Sequence, residues 1–436
     1  MAEPLRVGVA GLGTVGSSVV RILGAKAEEL AARAGRPIVV TAVSAREKGR
    51  DRKLHLDGVA WHMDATQLAR SNDVDLVVEL IGGAEGAARG CVETAIEFGR
   101  PVVTANKALL ARHGLAIATA AEQKGVAVGF EAAVAGGIPI VKALREGLSA
   151  NSLNRVFGIL NGTCNYILTR MEREKLGFAE CLADAQKLGY AEADPTFDVG
   201  GFDTAHKLAL LASLAFGVAP DPDGIYVEGI TSITPFDLAM AEELGYRVKL
   251  LGVATRTGSG VEQRVHPSML PKDAAVARVD GVTNAVEIDG DVVGALVLAG
   301  PGAGGDATAS AVIADIVDIA RGLRMPAFGV PAASLAAPTR APMGRHEGGY
   351  YIRLSVIDRP GAAAAIAARM AEQGISLKSI VQRGRESDSD SPGVEPVAVV
   401  LITYATTEAA LRVALDAIEA DGHIDGAPQV IRIEKR

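Results

Sequence analysis

Between Gly189 and Lys207 the chain runs Gly-Tyr-Ala-Glu-Ala-Asp-Pro-Thr-Phe-Asp-Val-Gly-Gly-Phe-Asp-Thr-Ala-His-Lys, placing Glu192, Asp194, Asp198 and Asp203 ahead of one lysine. The expectation is that these carboxylates gather around Lys207 and capture a small cationic group such as an amine. Asp203 and Lys207 are four residues apart, so on a helix they share a face. A lysine held there can keep or deliver a proton. Standing alone, the same run also reads as a solvated loop with one surface ion pair.

A second candidate is Gly11-Leu12-Gly13-Thr14-Val15-Gly16, preceded by the apolar run Leu5–Ala10 and followed by an amphipathic stretch expected to be one helix over 17–34. In that order, Gly11 permits a tight turn, Gly13 lets backbone approach a pyrophosphate, and Gly16 allows close helix–strand packing. The phosphates then meet the positive end of the helix. After the next strand, 38–43, stands Arg46, with Lys48, Arg50 and Arg52 close behind. An arginine there suits the 2′-phosphate of NADP, where an acidic residue would suit the ribose of NAD. A surface role for Arg46 is the competing reading.

Three further sites carry weaker signals. Glu131 precedes Val134-Ala-Gly136-Gly137-Ile138, where one carboxylate and nearby carbonyls could hold a hard cation. Asn161-Gly162-Thr163 supplies a tight turn with amide and hydroxyl donors, and Cys164 after it is either a nucleophile or a small buried thiol. Gly300-Pro-Gly302-Ala-Gly304-Gly305 opens an Ala-rich helix and either closes over a phosphate or nicotinamide or is a flexible turn.

The elements that must position these residues follow from pattern. Short apolar runs at 74–80 and 100–105, each followed by helical sequence, continue a doubly wound parallel sheet with Lys107 at its ligand-binding edge. Strands are expected at 155–160, 246–255 and 286–298, with a helix over 167–175. The Pro- and Ala-rich stretch 327–345 reads as a linker to a β-α-β-β-α-β unit with a polar loop at 386–396.

Over 436 residues, a net charge of −8 argues against nucleic-acid and anionic-membrane partners. Three cysteines without metal-ligand spacing fit a reducing cytosol. The longest uncharged stretch, 208–220, is too short to span a bilayer, and the N-terminus leaves no room for a signal peptide, so a cytoplasmic location is expected.

Together these motifs resemble the homoserine dehydrogenase family, in the longer form with a C-terminal ACT domain. The resemblance rests most on Gly189-Tyr190 through Asp194-Pro195, Asp198-Val199, Gly201, Asp203 and Lys207, and spans almost the whole chain. It implies a Rossmann-type dinucleotide-binding domain (1–130), an α+β catalytic and dimerisation domain (131–325), a linker (326–348) and a ferredoxin-like ACT domain (349–436). It implies NAD(P)-linked interconversion of L-homoserine and L-aspartate 4-semialdehyde in threonine and methionine synthesis, with threonine as an effector and a homodimer or homotetramer as the assembly. Lys207 would be the proton donor and acceptor. Glu192 would bind the substrate amine, Asp198 and Asp203 would shape the pocket, and Gly162 and Thr163 would position the substrate. Lys107 would lie between substrate and cofactor, with Thr104, Arg46, Gly302 and the fingerprint on the cofactor side. A monovalent cation, sodium in the family, would sit on Glu131 and the carbonyls of Val134, Gly136 and Ile138. Ser376 stands where many amino-acid-sensing relatives have asparagine, which weakens the threonine expectation relative to catalysis.

Overall fold

The computed structural model describes residues 2–357, 359–382 and 396–434. Its N-terminal sheet is built from β1 (Leu5–Ala10), β2 (Ile38–Ser44), β3 (Ala60–His62), β4 (Leu76–Glu79), β5 (Val102–Thr104) and β6 (Val128–Gly129). All neighbours are parallel, in the order β3-β2-β1-β4-β5-β6. Helices cover both faces, so Val7, Val9, Leu76, Val77 and Val78 are all fully buried. The order reverses between β1 and β4, which opens a ligand crevice at their carboxyl ends. The single helix expected over 17–34 is instead two, Thr14–Ala25 and Ala27–Ala34. Lys26 leaves helical geometry between them, and Leu30 and Ala34 are then buried.

The middle of the chain forms a second sheet from β7 (Leu153–Ile159), β8 (Tyr226–Val227), β9 (Tyr246–Thr257), β10 (Gly260–Pro271), β11 (Thr283–Gly290) and β12 (Gly294–Pro301). The order β12-β11-β7-β9-β10 is antiparallel throughout. The strand expected over 286–298 is a hairpin, with Gly294 at a φ of 72° ending the turn. β10 was not anticipated, because Pro267 and a polar run disguise it. Pro267 falls between the residues paired with β8 (Arg264, Val265) and those paired with β17 (Ser268, Met269), described next, a gap in the outer ladder that tolerates proline. The helix Phe202–Phe216 packs across this sheet and buries Leu208, Leu210 and Leu211 completely. Each such leucine contributes about 1.5–3 kcal/mol, so the helix that carries Asp203 and Lys207 is firmly seated.

The C-terminal unit has β13 (Glu347–Val356), a helix Ala362–Glu372, β14 (Leu377–Gln382), β15 (Val397–Thr403), a short β16 (Thr406–Thr407), a helix Glu408–Ala420 and β17 (Gln429–Ile433). Its main order, β17-β13-β15-β14, is the expected β-α-β-β-α-β arrangement. The polar loop expected at 386–396 lies outside the described residues except for Pro396. β17 also pairs in parallel with β10, so the two units share one continuous sheet. The stretch expected as a linker is a pinned strap. Phe328 is 1% exposed and lies 5.2 Å from the Phe130 ring. The Ala219 amide donates to Ala336 O at 2.9 Å, and the Val261 amide to Thr339 O at 2.8 Å. Small alanine side chains let the backbone approach closely enough for these bonds. No helix among the described residues is long and apolar enough to cross a membrane.

Candidate active site

Three element ends meet at the carboxyl edge of the first sheet. The helix Lys107–Lys124 begins there, β7 ends there at Leu160-Asn161, and the helix Phe202–Phe216 begins there. Asp203, 5% exposed, is the shared centre. Its Oδ2 accepts from Lys207 Nζ at 2.7 Å, and its Oδ1 lies 3.0 Å from Lys107 Nζ. Lys207 Nζ also donates to Leu160 O at 2.7 Å. Burial opposes the charge on Asp203, but the two ammoniums outweigh it and hold its carboxyl well below the usual carboxylate range. Burial lowers the Lys207 pKa, Asp203 resists, and Lys107 adds to the lowering, so Lys207 sits below an ordinary lysine. The site thus pairs one stable carboxylate with a lysine whose proton is easier to release.

Asn161, noticed in the sequence only as turn material, ties the centre together. Its Nδ2 donates to Asp198 Oδ1 at 2.8 Å and to Asp203 Oδ2 at 2.9 Å. Its Oδ1 accepts from the Cys164 amide at 2.8 Å, capping a helix that runs Gly162–Glu174. That helix starts earlier than the expected 167 because the cap sits at 161. Burial raises the Asp198 pKa, the Asn161 bond lowers it, and nearby Asp203 raises it. Thr163 Oγ1 donates to Tyr190 O at 2.6 Å and fixes the start of the acidic segment.

A second relay was invisible in the sequence because Glu79 looks like an ordinary strand-end residue. Fully buried, it accepts from the Ile81 amide at 2.7 Å and from Thr104 Oγ1 at 2.6 Å. Thr104 Oγ1 in turn accepts from the Asn106 amide at 3.0 Å, and Asn106 caps the helix that begins with Lys107. The Thr104 side chain thus links Glu79 to the start of the helix that carries Lys107.

The four carboxylates do not all gather on Lys207. Asp203 pairs with Lys207 and Asp198 joins the centre through Asn161, whereas Glu192 and Asp194 are exposed. Asp194 Oδ1 accepts from the Thr196 amide at 3.1 Å, a local turn bond. His206, next to Lys207 in the chain, was not singled out either. Its Nδ1 has no partner among the described residues, and its ring meets Phe197 edge-on at 5.5 Å. Burial, with Lys107 and Arg112 nearby, lowers its pKa and keeps it neutral. Cys164 is fully buried, donates to Asp198 O at 3.2 Å, and has its thiol pKa pushed well up by burial. That is an inert thiol, not a nucleophile.

The fingerprint is shaped for close approach. A Cβ on Gly11 (φ 102°) would lie 2.5 Å from Leu80 O, and one on Gly16 would lie 1.9 Å from Gly11 O. At Gly13 the space is open, and no side chain caps the helix there, so its amides are free for an anion. Leu12 is buried, while Thr14 and Val15 border the opening. The second glycine loop abuts this turn: a Cβ on Gly305 would meet Ser18 Oγ at 2.8 Å and Thr14 Cγ2 at 3.0 Å. Gly302 packs on Asn284 and leaves no room for a side chain, its Cβ position being 2.0 Å from Asn284 Cγ. Arg46 is exposed beyond β2, while Arg52 reaches back to Leu12 O at 3.1 Å. Glu131, 2% exposed, accepts from the amides of Val141 at 2.9 Å and Lys142 at 2.8 Å. Burial and neighbouring Asp315 push its pKa up to about 7. The loop above it turns through Ala135 and Gly136 at φ 54° and 51°.

A family model described as homoserine dehydrogenase matches residues 139–317, and one described as homoserine dehydrogenase, NAD binding domain, matches 11–131. The chain is 45% identical to the homoserine dehydrogenase of Pseudomonas aeruginosa over 439 residues, 99% of each. It superposes on the crystal structure of a homoserine dehydrogenase from Thiobacillus denitrificans with a TM-score of 0.93, 44% identity and 99% of each chain covered. A hyperthermophilic archaeal homoserine dehydrogenase in complex with NADPH shares the fold at 24% identity and a TM-score of 0.64, covering 74% of this chain and 99% of its own.

Proposed function

This chain belongs to the homoserine dehydrogenase family of NAD(P)-dependent oxidoreductases, and on that premise we propose how its residues carry the reaction. The observation that supports the reading is the Lys207–Asp203–Lys107 array beside the open fingerprint. The fingerprint amides and the helix start at Thr14 would hold the dinucleotide diphosphate, where Gly13 leaves open space. The nicotinamide, when bound, supplies or accepts the hydride. Lys207 donates its proton to the oxygen of aspartate semialdehyde during reduction and takes it back from the homoserine hydroxyl during oxidation. Its lowered pKa suits both directions better than the reference value of about 10.4 would. Asp203 orients both ammoniums, and Lys107 adds positive charge where the alkoxide develops. Exposed Glu192 takes the substrate ammonium, while Asp198, held by Asn161, shapes the pocket beside it. Replacing Lys207 by alanine is expected to cut NADPH oxidation by aspartate semialdehyde about 10²–10⁴-fold. Equal rates in the two proteins would sink the assignment.

The finer readings have their own support. Exposed Arg46 favours NADP, so Arg46→Ala should raise the KM for NADP and spare that for NAD; equal changes would remove the preference. Glu131 with the carbonyls of Val134, Gly136 and Ile138 is read as the sodium site, because burial and Asp315 push its carboxyl up to about 7 in spite of Lys142, and a cation bound there would favour the charged form. Sodium chloride should then raise Tm above tetramethylammonium chloride in wild type but not in Glu131→Gln, and an identical response in both would exclude the site. The β-α-β-β-α-β unit is read as an ACT domain sensing threonine, in an enzyme of threonine and methionine synthesis. Activity indifferent to millimolar threonine would reject that role. A homodimer or homotetramer is the accompanying assembly, and a monomer by sedimentation would contradict it.

A further inference from the structure

The C-terminal unit grips the catalytic unit at both ends of one short segment, 228–237. At one end, Arg432 of β17, its side chain 1% exposed, donates to Glu228 from Nη1 at 2.7 Å and from Nη2 at 3.2 Å. The same guanidinium is held from behind by Glu408 at 2.8 and 3.0 Å and lies over the Tyr226 ring at 5.0 Å. At the other end, Asp237 is fully buried and accepts from Tyr351 Oη at 2.9 Å and Arg353 Nε at 2.8 Å, both on β13. Asp237 also closes a capping box with Thr234 that starts the helix Pro235–Glu243.

Between these anchors the segment presses on the turn that carries Asp198. The Ile230 amide donates to Val199 O at 3.0 Å. A Cβ on Gly229 would stand 2.4 Å from Val199 O and 2.9 Å from Gly200 Cα. A Cβ on Gly201 would meet Val265 Cγ1 at 3.0 Å, Val227 Cγ1 at 3.1 Å and Glu228 O at 3.5 Å. Glycines face glycines across this contact, so neither segment can shift without moving the other.

We propose that residues 228–237 form a clamp through which the C-terminal unit positions the Asp198 turn, with Glu228 and Arg432 as positioning residues for the amino-acid substrate. The clamp rests on the reading of Asp198 as a pocket residue. It makes the C-terminal unit part of the machinery that sets substrate affinity. An ion pair that only glued two units together would affect stability and not substrate KM.

The test uses the full-length enzyme and compares Glu228→Gln, Gly229→Ala and Asp198→Asn, measuring KM for homoserine, KM for NADP, kcat and Tm. Glu228→Gln is nearly isosteric and keeps the protein foldable should Gly229→Ala not be. The expected result is a homoserine KM raised about fivefold in Glu228→Gln, with the NADP KM within about twofold of wild type. An unchanged homoserine KM in Glu228→Gln, with a raised one in Asp198→Asn, overturns the clamp and leaves the pocket reading intact. Unchanged values in both variants overturn the two together. A joint rise of both KM values with a fall in Tm marks the pair as structural and also overturns the clamp.

Discussion

The fingerprint and the acidic segment are both glycine-punctuated runs beside one crevice, yet they prepare for their ligands in opposite ways. At Gly11–Gly16 the backbone is what the turn offers, and at Gly11 and Gly16 side chains are excluded by contacts as short as 1.9 Å to a Cβ that glycine lacks. At 189–207 the charged side chains are what the segment offers, and those of Asp198, Asp203 and Lys207 are tuned by burial. Asp203 is buried between two ammoniums and stays ionised, whereas Glu192 is exposed to solvent. A backbone site tolerates almost no change of residue type, while a charged site depends on each partner's protonation.

The sharpest break of that contrast is Asp203→Asn. It leaves Lys207 and Lys107 without their common counter-charge, and kcat for semialdehyde reduction should fall about 100-fold. Asp203 raises the Lys207 pKa, so its loss lets that pKa drop further. Reduction needs protonated Lys207, so the alkaline limb of its pH profile should move to lower pH, and an unmoved limb would disconnect the pair. Gly16→Ala comes next. Overpacking costs about 1–3 kcal/mol, so the cofactor KM should rise about tenfold while the homoserine KM holds. A change confined to homoserine would reverse the two halves. Glu192→Gln should raise the homoserine KM about tenfold, the scale of one lost charge-assisted bond. Asp194→Asn, at a residue bonded to the amide and side chain of Thr196 in a local turn, should leave both KM values within about twofold. A larger effect would return Asp194 to the pocket.

The dinucleotide-binding fold was legible because only glycine fits at Gly11 and Gly16, and strand, turn and helix occur in a fixed order along the chain. The Lys207–Asp203 pair was legible for a similar local reason, since helical spacing alone brings them together. The partners of Asn161 and Glu79 were not legible because they are distant in sequence: Asp198 and Asp203 for one, Thr104 for the other. β10 escaped because Pro267 breaks the usual strand pattern, and the strap at 327–345 because its bonds are made by backbone rather than by recognisable side chains.

By itself, then, the sequence determined the order of elements, the glycine turn before the first helix and the Lys207–Asp203 pair, all set by interactions within a few residues. Only the tertiary structure decided which two of the four acidic residues enter the centre, and that the C-terminal unit shares the catalytic sheet through β17 and β10. Burial and counter-charge are properties of what packs around a residue, and chain-distant neighbours supply them.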